Sequence, residues 1–511
     1  MRIVLLFVSL ALGSCITVRK LEVTPVDYEG AAEQPIIASP VKAHLEDGST
    51  VVFPQGVSLV GGEIRGEGFK YDITLERSEA VTSIDVDDIA AMESYQTPVN
   101  TGVTAAASGG VSLGVGVAGL GLLKAIFGSC PTTYSFETGT PILESESFSY
   151  SIAPGFEARD VDRLGIDSRL RASVSLEMRN EALETHYINQ VELLEVVHGE
   201  DESVYPDNRG RLLAVRSLRE PRRAVDQGGR DVRSIVGVAD GAAWSTTAER
   251  LQHVSAEDLE DYIELEFEAS PAARQQALVL RMRNSLLNTV LLYDVILRGQ
   301  GYRAIDWMGA DLDRLGPKYR LARWYKERMG MRVSVWDGRR FRQVAAVPDT
   351  GPIAWKELAV PLPDAQAGTV RVRLSFTADN WRIDRVALAS MAREARPRAV
   401  PLAEVTSSAG DRLPQARSNL RAADEAYVIT RPGEYLTLKF DLGRVPEGRR
   451  RTLFLAAEGY YIEWMRAEWL QATGASAFAP NDAALLSALA LWEERRAELR
   501  DRFESTRIPV R

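Results

Sequence analysis

The sequence predicts a mainly β chain: a small N-terminal β-barrel-like unit, two tandem β-sandwich-like domains, and a C-terminal region of strands plus helices. Three observations predict it. Short runs alternate apolar and polar residues and are broken by Asp-Gly turns, as at Asp47-Gly48 and Asp337-Gly338. A strand-like segment, Leu176-Glu177-Met178-Arg179-Asn180, recurs as Leu280-Arg281-Met282-Arg283-Asn284, 104 residues on. A 3.6-residue apolar period is clear only near the C-terminus.

Residues 1–14 read as an export signal. Met1-Arg2 is a cationic start, Ile3 to Val8 is unbroken apolar, and Gly13-Ser14 are small residues before Cys15. The apolar stretch is about ten residues, short of the about 20 that a bilayer span needs. Leu12-Gly13-Ser14-Cys15 resembles the lipobox of bacterial lipoproteins. The resemblance implies cleavage after Ser14, a diacylated Cys15 thiol, and a membrane partner reached through that lipid. Each buried CH₂ contributes roughly 0.8 kcal/mol, so two acyl chains make a stable anchor. Ile16 after the cysteine, by analogy with enterobacterial sorting, implies a cell-envelope protein of the outer membrane. The alternative is an ordinary signal peptide with a chance cysteine.

Residues 15–40 read as a tether, irregular and carrying Pro25, Pro35 and Pro40. Residues 41–95 read as a small SH3-like β unit, with Val41, Ala43 and Leu45 alternating before the Asp-Gly turn and Thr50 to Phe53 returning the chain. Residues 96–127 form a Gly/Ala-rich segment, uncharged as far as Lys124. Gly102, Ala106, Gly110, Gly114 and Ala118 sit four apart and share a face on a helix, as in a glycine zipper. Two readings stand there. A single span would put residues 16–93 and 125–511 on opposite sides of a membrane, whereas a re-entrant hairpin or a packed soluble segment would not.

Residues 128–250 and 251–390 read as two related β-sandwiches. After the shared five residues the register holds, pairing Leu183 with Leu287, Thr185 with Thr289, Val191 with Val295 and Leu193 with Leu297. A spacing near 100 residues suits a duplicated sandwich. Short alternating strands also resemble one another by chance. Further strands are Tyr262 to Phe267, Met331 to Trp336 and Val370 to Phe376. Residues 391–425, with Pro397, Pro401 and Pro414, read as a linker. Within residues 426–511, Tyr435 to Phe440 and Thr452 to Leu455 read as strands. The last helix is capped by Asn481-Asp482 and has Leu485, Leu489, Trp492 and Leu499 on one face.

Several segments, among them Gly128-Ser129-Cys130-Pro131-Thr132-Thr133-Tyr134, Asn180 to Tyr187 and Arg431-Pro432-Gly433-Glu434-Tyr435, resemble uncharacterised β-rich modules of secreted bacterial proteins. The resemblance spans 128–465. It implies sandwich architecture and an extracytoplasmic place, and carries over no functional residue.

The chemistry-bearing residues are sparse. The net charge of −10 provides no broad basic surface, so no nucleic-acid partner is expected. Gly110-Val111-Ser112-Leu113-Gly114 fits a nucleophile elbow and Gly114-x-Gly116-x-x-Gly119 a dinucleotide loop, but both lie in a tract that meets such patterns by composition. The four histidines (His44, His186, His198 and His253) make no ligand pair at helical spacing. His186 and His198 were the one pair that a hairpin could bring together. No catalytic residue, metal or cofactor is expected, and Ser255-Ala256-Glu257-Asp258 reads as a capped helical turn. Of two cysteines, lipidation of Cys15 leaves Cys130 without a partner, and a buried inert thiol is its simplest role. Trp307, Trp324, Trp336 and Trp381 are the candidate ligand-facing aromatics, since exposed rings on a sandwich stack on sugars or enter protein interfaces. The expected function is a non-catalytic scaffold or binding module with a protein or glycan partner. A carbohydrate-binding or carbohydrate-active protein is the alternative.

Overall fold

The computed structural model describes residues 22–25, 36–37, 41–96, 130–463 and 480–505, apart from short stretches within them. Residues 1–14, read above as an export signal, Cys15 and nearly all of the Gly/Ala-rich segment lie outside the described residues. The chain is mainly β, built from five antiparallel sheets, with few helices.

Sheet I is the N-terminal unit. Val41–Leu45 and Thr50–Phe53 form the expected hairpin, pairing Val41 with Phe53. Eight strands join, but the sheet stays open rather than closing into the expected barrel. Two of its strands, Glu22–Pro25 and Ile36–Ile37, come from the stretch read as a tether. They lie at the two ends of the sheet, where short strands need little periodicity to pair. All five residues of Val41–Leu45 are buried because the sheet is covered on both sides. Val41, Ala43, Phe53 and Ile64 fill its own core. Val52 and Tyr71 join the central cluster, and Lys42 Nζ donates to the Glu463 carbonyl at 3.4 Å.

The two sandwiches are nested rather than tandem. Sheet II runs, in spatial order, Thr140–Glu146, Thr132–Glu137, Ser173–Arg179, Tyr435–Asp441 and Leu402–Ser407. Sheet III runs Ala158–Arg163, Arg449–Glu463, Glu184–Gly199 and Arg398–Val400, with Val428–Thr430 also on Glu184–Gly199. Leu176, Met178, Leu193, Leu438, Phe440 and Leu455 form the core between them. The second sandwich is drawn wholly from residues 203–395. Sheet IV runs Ser203–Pro206, Leu212–Arg219, Trp381–Ala395, Gln276–Asn284 and Lys356–Leu362. Sheet V runs Arg223–Asp226, Glu260–Glu268, Thr369–Thr377, Met331–Trp336 and Phe341–Val347. Trp244, Phe267, Leu280, Phe376 and Trp381 are in its core. Sheets III and IV then pack on each other through Leu194, Val196 and Phe454 against Val204, Leu212 and Ala214.

This pairing differs from a sequential division at 250, 390 and 425. The stretch 391–425 holds strands Arg398–Val400 and Leu402–Ser407 and helix Pro414–Asn419 instead of a free linker. The physical reason is that ladders form between residues hundreds of positions apart. Glu184–Gly199 pairs along its whole length with Arg449–Glu463, and local periodicity carries no trace of that partner.

The duplicated segment holds only to its asparagine. Asn180 and Asn284 both end buried strands and fasten a neighbouring loop: Gly433 N donates to the Asn180 carbonyl at 2.8 Å, and Asn284 N donates to the Gly351 carbonyl at 2.9 Å. Beyond that point the first copy continues as strand Glu184–Gly199. The second turns into a helical segment over 287–300. Ser285 Oγ accepts from Leu287 N at 3.1 Å and starts that helix, and its apolar run is buried on nearly all sides. Leu183 lies outside the described residues. The Ser255–Asp258 stretch is a tight turn closed by mutual backbone bonds, not a helical turn.

A helical layer caps the sheets. Segment 287–300, helix Leu315–Arg328 and helix Asp482–Ser505 share a core with Tyr187 and Tyr460. The last helix starts where expected, with Asn481 Oδ1 accepting from Ala484 N at 3.0 Å. Leu485, Leu489 and Trp492 form its buried face. Among the described residues, no helix is long and apolar enough to cross a membrane.

Candidate functional site

A cavity of about 210 Å³ lies where the helical layer meets both sandwiches. Five segments bring its walls together. Cys130 and Glu146 flank the first hairpin of sheet II, and Tyr150, Ile152 and Phe156 follow it. Asn288 and Leu292 come from segment 287–300, Leu321 and Tyr325 from helix Leu315–Arg328, and Asp349 and Gly351 from the loop before Lys356–Leu362. Tyr461 closes it from the end of Arg449–Glu463. Segment 287–300 contains a π-type stretch, Leu291–Leu297, a local widening that recurs at functional sites.

The polar groups of the cavity bind one another. Asn288 bridges two elements: its side-chain amide donates to Asp349 Oδ2, and its oxygen accepts from the Tyr325 hydroxyl. Asp349 Oδ1 also accepts from Gly351 N at 2.9 Å. Glu146 Oε2 reaches the second sandwich, accepting from Ile353 N at 2.7 Å and Ala354 N at 3.1 Å. Gly351 makes that approach possible. Its φ is +81°, and a Cβ there would lie 2.5 Å from Glu146 Cδ. Tyr461 donates to the Ser149 carbonyl at 3.0 Å, and Tyr293 donates to Glu463.

Burial governs the protonation of these groups. It pushes the Cys130 thiol well above its ordinary value, and the carboxylates of Glu146, Glu184 and Asp349 push in the same direction. It raises Asp349 against the pull of its amide donors, and it raises Tyr325 and Tyr461. A thiol held protonated is a poor nucleophile and a poor metal ligand. The cavity is therefore suited to holding a small, mainly apolar group beside a few fixed hydrogen-bonding positions, not to thiolate chemistry.

Beside the cavity a second polar cluster joins the sandwiches. Lys356, on the first strand residue of Lys356–Leu362, is paired with Asp160 and lies 2.9 Å from Asp162 Oδ1, both on Ala158–Arg163. Burial, opposed by Lys356, raises Asp162 to about 7. Arg163 is paired with Glu357 across the same seam.

The four tryptophans singled out from sequence do not share a face. Trp381 is 0 % exposed in the second sandwich and donates Nε1 to the Met329 carbonyl at 3.2 Å. Trp307 is 3 % exposed in the helical core. Both are packing residues and cannot stack on a ligand, which corrects that expectation for them. Trp324 is half-buried against the helical core. Trp336 alone is placed on the outer side of sheet V, where the Arg371 guanidinium lies 5.0 Å from its ring and Phe341 packs edge-on at 5.2 Å. Cys15 lies outside the described residues. His186 and His198 sit on one strand, about 40 Å apart at roughly 3.3 Å per residue, so no hairpin brings them together. His186 pairs with Glu184 at 2.7 Å. Asp207 closes a turn, its Oδ1 accepting from Arg211 N at 2.9 Å and its Oδ2 from Arg211 Nε at 2.8 Å. Among the described residues, no group of three or more metal-binding side chains is gathered.

Asn288, Asp349, Tyr325 and Glu146 escaped sequence reasoning. The only local signal was Cys130, which the unpaired-cysteine count had marked. No protein-family model and no curated protein matches this chain.

Proposed function

We propose that the chain is a lipid-anchored cell-envelope protein, held at the outer membrane through Cys15, that acts as a non-catalytic scaffold or binding module for a protein or glycan partner. The observation that carries the reading is the way both sandwiches are locked together. Glu146, Lys356 and Arg163 each make polar bridges across the seam, and burial holds the Cys130 thiol of the cavity in its protonated form. A stiff block on a tether presents surfaces; it has no need of moving parts. The test is cross-linking in the native cell with mass spectrometry of co-purified proteins, beside metabolic labelling with palmitate. Label lost on Cys15→Ser, together with a reproducible envelope partner, is the expected result. An unlabelled chain and an empty cross-link set, with envelope composition unchanged when the protein is deleted, would reject the proposal.

The carbohydrate reading is narrowed to Trp336, whose ring faces outward with Phe341 and Arg371 beside it. Glycan-array binding that disappears with Trp336→Ala would favour it over a protein partner.

A further inference from the structure

One end of the first sandwich carries an arginine-lined cleft, of which the reading above uses only Arg163. Strand Arg449–Glu463 opens with three consecutive arginines, and its register sets Arg450 opposite His198 and Arg451 opposite Val197. Two adjoining hollows of about 290 and 580 Å³ share Glu202 as a wall. Arg163, Arg169, Arg450 and Arg451 line the first, with His198 and Thr452. Arg216, Arg393 and Arg449 line the second.

The carboxylates nearby are already engaged. Asp167 is held by Arg169 at 2.8 Å. Glu202 accepts from Arg216 at 3.0 Å, Arg393 at 3.1 Å and Gly199 N at 3.0 Å. Asp201 lies 3.1 Å from Arg216, Glu357 holds Arg163, and Glu195 lies 3.5 Å from Arg451 Nε. Seven guanidinium groups line the two hollows beside three lining carboxylates, Asp167, Asp201 and Glu202, in a chain whose net charge is −10. Arg450 is exposed and has no carboxylate partner among the described residues. Arg451 forms the floor: its side chain is 1 % exposed, and Nη2 donates to the Gly443 carbonyl at 2.5 Å. Its Nη1 has no hydrogen-bond acceptor, and neither does Arg163 Nε. Both atoms are buried, so they place positive charge behind the cleft, and the exposed guanidinium of Arg450 is the group open to an oxyanion. His198 adds hydrogen-bonding capacity rather than charge. Its ring nitrogens already meet Thr452 Oγ1 at 2.9 Å and the Gly199 carbonyl at 2.8 Å, and burial lowers its pKa.

We propose that this cleft is a binding site for a phosphate monoester group, with Arg451 and Arg163 at its floor and Arg450 and Arg169 at its rim. The excess of arginines over carboxylates in the lining suits such a group, which carries about −1.5 to −2 near neutral pH. Planar guanidinium forks suit its three oxygens better than they suit a single carboxylate. The ester belongs either to a soluble phosphorylated sugar or to a lipid headgroup.

The test is calorimetric titration of the chain carrying Cys15→Ser, so that no lipid of its own tethers it. Inorganic phosphate is the probe, with chloride replacing it at constant ionic strength. Arg450→Ala and Arg169→Ala are each expected to weaken phosphate binding about tenfold or more. Their unfolding temperatures without phosphate should match the parent, because both side chains are on the surface. Arg342→Ala, an exposed arginine of sheet V, is expected to leave the affinity unchanged. Glucose 1-phosphate and vesicles containing phosphatidic acid then separate the sources, and binding to either supports the site. Phosphate binding no stronger than chloride, equal binding by both rim variants, or binding to neither ester would overturn the proposal.

Discussion

Replacing Lys356 with methionine tests the seam between the sandwiches. The substitution keeps an unbranched apolar side chain, one heavy atom shorter than that of lysine, and removes the charge. Asp160, Asp162 and Lys356 side chains are only 10 %, 7 % and 12 % exposed, so the two carboxylates would face each other with little water to screen them. Breaking a buried ion pair from one side costs about 3–5 kcal/mol. For a cooperative unit of about 200 residues, each kcal/mol moves the unfolding temperature by about 2–4 °C, giving a drop of about 6–20 °C at pH 8. The pH dependence supplies a second reading. Lys356 has its pKa raised by its partners, so its contribution is complete throughout pH 5–8 and is lost only at strongly alkaline pH. Asp162 is raised to about 7, so its protonated form favours the native state at low pH, and that contribution is lost as pH climbs through 7. Without Lys356, whose charge opposes the shift, Asp162 takes up a proton more readily still, and the penalty should shrink at pH 5. Adding Asp160→Asn and Asp162→Asn to Lys356→Met should recover at least half of the loss. Thermal unfolding by circular dichroism at pH 5 and 8 measures all of this. A drop below about 2 °C at pH 8, or the same drop at both pH values, would refute the reasoning.

Other outcomes follow from single contacts. Trp492→Ala should cost about 3–5 kcal/mol and speed hydrogen exchange across Asp482–Ser505, because Trp492 is fully buried and its Nε1 donates to Asp379 at 2.7 Å. Gly351→Ala should destabilise by about 1–3 kcal/mol, read as a shift in the urea midpoint, since it combines a left-handed backbone with a clash on Glu146. Native Cys130 should react with iodoacetamide at pH 8 at least about tenfold more slowly than in urea, because burial keeps the thiol protonated and shielded. Trp336→Ala should change stability much less than Trp381→Ala, the first ring being half outside and the second fully inside.

What could be read from sequence was whatever depends on neighbours along the chain. Glu260–Glu268 alternates buried and open positions residue by residue, and its apolar alternation announced it. The Asn481 cap and the Leu485, Leu489 and Trp492 face were equally legible. Glu184–Gly199 was harder, because a strand covered on both faces loses its alternation. The helical turn after Asn284 was masked by a register that matched the strand after Asn180. The cavity was illegible for a different reason. Cys130, Glu146, Asn288, Asp349 and Tyr461 span more than 300 positions and meet only because the strands interleave. The arginine run at 449–451 was visible, but Arg163, Arg216 and Arg393 could not be placed beside it without the fold.

The nesting of one sandwich inside the other also sets a timetable. Residues 203–395 contain every strand of sheets IV and V, so that unit has all its parts once synthesis passes Ala395. Sheet III does not. Ala158–Arg163 and Glu184–Gly199 stay without the strand that runs between them until Arg449–Glu463 has been made, some 250 residues after Gly199. In a chain delivered from its N-terminus, the first sandwich to begin is the last to be finished. The 16-residue strand Glu184–Gly199 waits through that interval with an edge unpaired, the kind of surface that invites pairing with the wrong chain. Truncation between residues 395 and 449 should therefore strand the N-terminal half with its edges open, while the inserted sandwich remains complete.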